Sequence, residues 1–214
     1  NHCHRETHGK TFDLDAAWKA IAHPAKAPVV VEAPRYKTPL NLAFRPSSNE
    51  LWVACEASDS VSVVDVKSGA KMAEVMTGGA ATDVAFTPDG ARAFVTNRED
   101  DTVSVIDASQ RKVVAKLEVG DEPHGVLTDR AGKYLYVLNT SSDDVHVFEV
   151  ATLKFVKKLS AGRGPWSLAL SPDGSTMLVS NMYSHLTGFR KPLRGEVTMV
   201  ETARAVPVNR SMVA

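Results

Sequence analysis

The chain has 214 residues, of which 43% are hydrophobic, and its 25 basic side chains balance its 25 acidic ones. This composition is typical of a globular protein with a sizeable core. The zero formal charge gives no general reason to expect a nucleic acid as partner. The longest apolar runs, such as residues 29–31, are too short to span a bilayer. We therefore predict a globular protein with neither a nucleic-acid partner nor a membrane span.

The first 27 residues form a segment that does not repeat elsewhere in the chain. Its beginning is polar and rich in histidine. Residues 12–22 predict a short amphipathic helix, because Leu14, Trp18 and Ile21 fall on one face and Pro24 ends the pattern.

The most specific chemical motif in this segment is the pair Cys3-His4. A c-type haem is attached through Cys-x-x-Cys-His, in which the cysteines form thioethers and the histidine becomes an axial iron ligand. Cys3 and His4 resemble the last two residues of this cytochrome c motif, with Asn1 and His2 as spacers. The resemblance implies a haem c bound through Cys3 and ligated by His4, with the other cysteine upstream of Asn1.

Two alternatives to haem remain open for this segment. His2, Cys3, His4 and His8 are ligand types for zinc or copper, although adjacent residues cannot all converge on one tetrahedral ion. The other alternative is a polar, solvated segment without a ligand.

Residues 28–37 form a proline-rich linker, within which residues 29–33 predict one β-strand. From residue 38 onward, the same pattern returns every 42 residues. Its clearest copy is the strand 93–97, which ends in asparagine and is followed by an alternating strand at 102–107. A repeat of this length with short alternating strands is the signature of a β-propeller blade. We predict an all-β fold with four blades of four strands, at about 38–77, 78–119, 120–160 and 161–214.

The residues Phe94-Val95-Thr96-Asn97, followed by residues 103–107, resemble the YVTN-type β-propeller repeat, and residues 136–139 are a second copy. The resemblance covers about residues 38–208. It implies a propeller but leaves the function open, because such propellers serve in binding, scaffolding and redox roles.

Four blades are fewer than the six to eight of the usual closed ring. We therefore expect these blades to belong to a larger ring, completed by further chain or by a partner. The strand at 29–33 lies two repeats before 113–117, so it would supply the outer strand of the last blade. An open stack of blades would expose apolar sheet faces at its two ends.

The loops at one end of the blades hold the candidate binding residues. His124 lies at the position that Thr82 and Trp166 occupy in the neighbouring repeats, near the mouth of the central channel. The loop after Asn181 is ten residues longer than its equivalent after Asn139 and is basic. The predicted rim residues for a ligand or an anionic partner are His124, Trp166, His185, Arg190 and Arg194. Alternatively, Trp166 packs between blades and the long loop is only solvated.

Cys55 stands where the other repeats have asparagine, at the end of a predicted strand. It forms either a disulfide with Cys3 or a small, half-buried thiol.

The sequence leaves open whether the chain is an enzyme, since it has no nucleophile elbow, phosphate loop or metalloprotease helix. The haem resemblance favours a periplasmic or extracellular propeller with a c-type haem, acting in electron transfer or oxidoreduction with a redox partner protein. The alternative is a cofactor-free scaffold that binds a protein or a ligand at the rim. A hydrolase or lyase with His124 and His185 as bases is a third hypothesis.

Overall fold

A computed structural model of the chain describes residues 36–182, 195–202 and 207–213, with side chains up to residue 202. Sixteen strands and one short 3-10 helix, Glu56–Ser58, occupy these ranges. In chain order the strands are β1 (Pro39–Phe44), β2 (Glu50–Cys55), β3 (Ser60–Asp65), β4 (Lys71–Met76), β5 (Ala81–Phe86), β6 (Arg92–Asn97), β7 (Thr102–Asp107), β8 (Lys112–Glu118), β9 (Pro123–Thr128), β10 (Tyr134–Asn139), β11 (Asp144–Glu149), β12 (Lys154–Ser160), β13 (Pro165–Leu170), β14 (Thr176–Asn181), β15 (Gly195–Glu201) and β16 (Pro207–Val213).

Each group of four consecutive strands forms one antiparallel sheet, so the chain folds into four blades in sequence order. The first strand of each blade is the innermost, and β1, β5, β9 and β13 contact one another in that order. The predicted all-β propeller with four-stranded blades is thus confirmed. The predicted helix at 12–22 and the predicted strand at 29–33 lie outside the described residues.

The first two strands of a blade are joined by a tight turn that the sequence encodes directly. In the second blade, Gly90 has a φ of +68°, a backbone conformation that favours glycine, and its N–H donates to the Thr87 carbonyl at 2.8 Å. The Asp89 carboxylate accepts hydrogen bonds from the Thr87 hydroxyl at 2.6 Å and from the Ala91 N–H at 3.0 Å.

An aspartate before the third strand of each of the first three blades links that blade to the next. These aspartates adopt a left-handed backbone conformation, and each accepts a hydrogen bond from a backbone N–H that lies 21 residues later, just before the next inner strand. The pairs are Asp59 with Ala80 at 2.8 Å, Asp101 with Glu122 at 2.8 Å and Asp143 with Gly164 at 2.7 Å. The recurring aspartate therefore fixes the loops that enter the inner strands.

The asparagine that ends the second strand of the second, third and fourth blades is buried and has a structural role. The Asn97 carbonyl accepts from the Gly78 N–H at 3.0 Å, and its amide donates to the hydroxyls of Thr102 and Ser104 at 2.9 Å. A Cβ at Gly78 would lie 2.7 Å from the Asn97 Cγ, so the loop approaches the asparagine as closely as glycine permits.

The core consists of three apolar clusters, one between each pair of neighbouring sheets. Cys55 is a free thiol, which excludes the disulfide, and it is fully rather than half buried. The outer faces of the end blades are apolar and exposed, as expected for an open stack, with Leu42 at one end and Leu178 at the other. No helix in the described ranges is long and apolar enough to cross a membrane.

Candidate functional site at the channel mouth

The second residue of each inner strand lies at the mouth of the channel. These residues are Leu40, Thr82, His124 and Trp166, spaced 42 residues apart. In every inner strand the pairing register shifts around this position, which indicates a β-bulge. A bulge leaves residues unpaired and redirects their side chains. The same backbone irregularity therefore presents four different side chains at one level of the channel.

His124 and Trp166 are stacked on each other, with ring centroids 3.4 Å apart and an interplanar angle of 31°. His124 is only 3% exposed, whereas Trp166 remains 39% exposed. The indole thus covers the imidazole and presents aromatic surface to the solvent. The structure brings together these two predicted rim residues and makes Trp166 the accessible one.

Burial lowers the pKa of His124 to about 4. A hydrogen bond to the Trp166 backbone opposes this shift, the charge of Arg98 adds to it, and Glu56 weakly opposes it. The imidazole is therefore neutral near pH 7, so His124 contributes no positive charge toward an anionic partner.

Asp83 is a candidate functional residue near the mouth that the sequence pattern did not indicate. Its carboxylate accepts hydrogen bonds from the Val84 N–H at 2.8 Å and, across the blade boundary, from the Val126 N–H at 3.1 Å. Burial nevertheless raises the pKa of Asp83 to about 6. The available signal was an acidic residue in the third position of an inner strand, where the other blades have Asn41, Gly125 and Ser167.

Buried hydroxyl groups hold the backbone around His124. The Thr82 and Thr96 hydroxyls are 2.9 Å apart, and Thr82 donates to the Pro123 carbonyl at 3.2 Å. Thr96 donates to the His124 carbonyl at 2.7 Å. Both threonines are fully buried, so the position of His124 is set by contacts from the preceding blade.

The charged groups near the mouth are arranged around Arg98. Arg98 pairs with Glu56 at 2.9 Å and also lies 3.7 Å from Glu99 and from Glu122. Three carboxylates thus surround one guanidinium group, which makes this part of the rim acidic. These contacts offer no basic surface for an anion, and the basic residues predicted in the long loop lie outside the described residues.

The remaining predicted site residues cannot be placed by the structure. Cys3, His4, His185, Arg190 and Arg194 all lie outside the described residues. Within the described ranges, no three His, Cys, Asp or Glu side chains lie close enough together to hold a metal ion.

Comparison with solved structures supports the fold. The hydrazine synthase of Kuenenia stuttgartiensis matches with a TM-score of 0.77 over 90% of this chain and 53% of that chain, at 23% sequence identity. This chain therefore spans about half the length of that protein. At this identity, the likeness shows the fold alone.

Comparisons at the level of sequence are more specific. No curated protein sequence matches the chain. The family model described as "Lactonase, 7-bladed beta-propeller" matches residues 10–152, which is about two thirds of the chain. The chain therefore belongs to the lactonase family of seven-bladed β-propellers.

Proposed function

We propose that the chain is the binding part of a larger propeller, with its ligand held at the channel mouth against Trp166. The stacked pair of exposed Trp166 and buried, neutral His124 carries this proposal. An indole fixed from below by another ring loses little conformational entropy on binding and offers a flat apolar surface. A planar or cyclic organic ligand fits this surface best.

The family name makes a cyclic ester the first ligand to test. Asp83 adds a carboxyl group of raised pKa at the same level of the channel. A group with a pKa near 6 can accept a proton near neutral pH, as a general base for water attack requires. Lactone hydrolysis with Asp83 as the base is therefore the activity to measure.

The aromatic lactone dihydrocoumarin is a suitable probe, followed by titration calorimetry for binding and by proton release for hydrolysis. We expect Trp166→Ala to weaken binding at least tenfold and Asp83→Asn to abolish hydrolysis while leaving binding intact. Tyr36→Ala is the matched control, since Tyr36 is 80% exposed and lies outside the inner strands. Equal binding by wild type and Trp166→Ala would exclude the stacked pair as the contact surface, and no binding at all would exclude this ligand class.

The proposal for the channel mouth also includes a ring of blades that is complete. Seven blades are three more than the four that the described residues form. We propose that further blades, from additional chain or from a partner, cover the exposed apolar faces at the two ends and close the channel.

A c-type haem on the N-terminal segment is a second proposal, favoured by the motif Cys3-His4. It would place the chain in the periplasm or outside the cell, with a redox partner protein. The same fold in a hydrazine synthase supports a test of redox chemistry, although that likeness concerns the fold alone.

A pyridine haemochrome spectrum tests the haem directly, on the longest native form produced in a host that matures c-type cytochromes. We expect a c-type α-band that shifts in Cys3→Ser and is unchanged in Cys55→Ser, because Cys55 is a buried free thiol of the first blade. A colourless protein would refute the haem and leave the binding proposal for the channel mouth untouched.

A further inference from the structure

A cavity lies at the opposite end of the blades from the channel mouth. It has a volume of about 510 Å³ and is a partly open cleft between the third and fourth blades. Its walls include the turn at residues 129–131, the turn at residues 173–174, and Tyr134 and Tyr136 of β10. This volume is within the range of small-molecule sites, roughly 300–1,000 Å³.

Tyr136 is the most informative residue of this cavity. It is only 4% exposed, but its hydroxyl is not one of the buried side-chain atoms that lack a hydrogen bond within the described residues. Because Tyr136 lines the cavity, this hydroxyl is open to the cavity, where a ligand oxygen can accept its hydrogen bond. Burial also raises the pKa of Tyr136 to about 12, so the hydroxyl stays a neutral donor at physiological pH. The cavity therefore contains a donor without a protein acceptor.

The neighbouring interface between the second and third blades shows that the fold does not require this phenol. The residues equivalent to Tyr134 and Tyr136, 42 positions earlier, are Arg92 and Phe94. The Arg92 guanidinium donates to the Val150 carbonyl at 2.8 Å and bridges those blades, while Phe94 is fully buried without a polar group.

Between the third and fourth blades, Lys157 makes the corresponding bridge by donating to the Thr202 carbonyl at 2.8 Å. The replacement of Arg92 by Tyr134 thus leaves the blades bridged by another residue. The rings of Tyr136 and Tyr134 belong to the apolar packing between these blades, but that packing does not need the hydroxyl of Tyr136, since Phe94 packs without one.

The charges around the cavity balance one another. Arg130 and Lys157 oppose Asp129 and Asp173. Both carboxylates are held by their own turns, since Asp129 accepts from the Lys133 N–H at 2.7 Å and Asp173 accepts from the Ser175 N–H at 3.1 Å. Two carboxylates beside the cavity disfavour an anion, and two cations disfavour a cation. A neutral ligand with both donors and acceptors suits these walls.

We propose that this cavity binds the sugar ring of a neutral saccharide. The Tyr136 hydroxyl donates to a ligand oxygen, and the aspartates and Arg130 interact with further ligand hydroxyls. The apolar face of the sugar lies against Tyr134 and Val147, both of which line the cavity. This site is separate from the channel mouth, so its test does not depend on the function proposed there.

The test is titration of the chain with maltotriose, cellotriose and N,N′-diacetylchitobiose, with binding followed by NMR. We expect at least one of them to bind, and we expect Tyr136→Phe to weaken that binding tenfold or more. The melting temperature of Tyr136→Phe should equal or exceed that of wild type, because the variant loses only an unpartnered hydroxyl. Tyr36→Phe is the matched control, and it should bind like wild type.

Three results would overturn the proposal. The first is the absence of binding by all three saccharides up to about 10 mM. The second is equal saccharide affinity in wild type and Tyr136→Phe. The third is binding of inorganic phosphate or citrate, tested in parallel, without binding of any saccharide, which would show that the cavity recognises anions.

Discussion

Phe44 and Phe86 occupy the same position in the inner strands of the first and second blades, but their environments differ completely. Phe86 is 8% exposed and packs on Trp52 of the preceding blade, with ring centroids 5.2 Å apart and a T-shaped arrangement. Phe44 is 61% exposed, because no blade precedes the first one within the described residues. The same side chain at the same repeat position is therefore exposed in the first blade and part of the core in the second.

The fourth blade shows the converse at the other end of the stack. Phe94 and Val105 of the second blade are buried against the third, whereas the equivalent residues of the fourth blade, Leu178 and Met199, are exposed. Middle blades therefore have two packed faces and end blades have one. The repeat encodes an apolar contact surface in every blade, so the exposed end faces have the composition of interfaces rather than of ordinary surface.

The largest effect expected in a variant that still folds separates these two environments directly. Phe86→Ala removes a buried ring from the cluster between the first two blades, which should lower the free energy of unfolding by about 3–5 kcal/mol. Phe44→Ala removes a ring that is mostly in water already, and it should cost less than about 1 kcal/mol. Urea unfolding of wild type and both variants measures the two values.

Equal losses in the two variants would contradict the comparison, because Phe44 would then have to be buried in the folded protein. An unchanged slope of the unfolding free energy against urea concentration is the required control. It shows that the variants unfold in the same cooperative transition as wild type.

The strands of both kinds of blade could be predicted from the sequence because their signals are local. Alternation and the turn Thr87–Gly90 recur every 42 residues, as does the asparagine at the end of the second strand in three of the four blades. The stacking of His124 on Trp166 was only partly predictable, since equal repeat positions predict a shared level in the channel but no ring contact. Asp83 and Tyr136 gave no motif at all. Their properties come from burial by the adjacent blade, which a strand pattern does not contain.

The second prediction concerns pH. At the channel mouth, burial raises the pKa of Asp83 and lowers the pKa of His124. The pKa of Asp83 rises from 3.8 to about 6, so its contribution favours the folded state at low pH and is lost as the pH rises through about 6. The pKa of His124 falls from 6.5 to about 4, so its contribution is present above pH 6.5 and is lost as the pH falls through about 4.

Each shift of about two pH units corresponds to roughly 3 kcal/mol, and the two nearly cancel in wild type between pH 4 and pH 6.5. In Asp83→Asn only His124 of this pair still titrates. The free energy of unfolding of the variant, relative to wild type, should therefore increase by about 3 kcal/mol as the pH rises from 4 to 6.5. Urea unfolding at several pH values measures this difference. A difference between Asp83→Asn and wild type that does not change with pH would show that Asp83 titrates at its ordinary pKa.

The smallest expected effect on stability belongs to the exposed face of the first blade. Leu42→Lys places a charge on that face and should change the free energy of unfolding by no more than about 0.5 kcal/mol, because Leu42 is already exposed to water. The same variant should reduce concentration-dependent association in analytical ultracentrifugation, since a charge opposes contact between apolar faces.

Val84→Lys, at the equivalent but buried position of the second blade, should instead prevent folding. A loss of several kcal/mol in Leu42→Lys would mean that this face is already covered within the chain, and the difference between end and middle blades would then disappear.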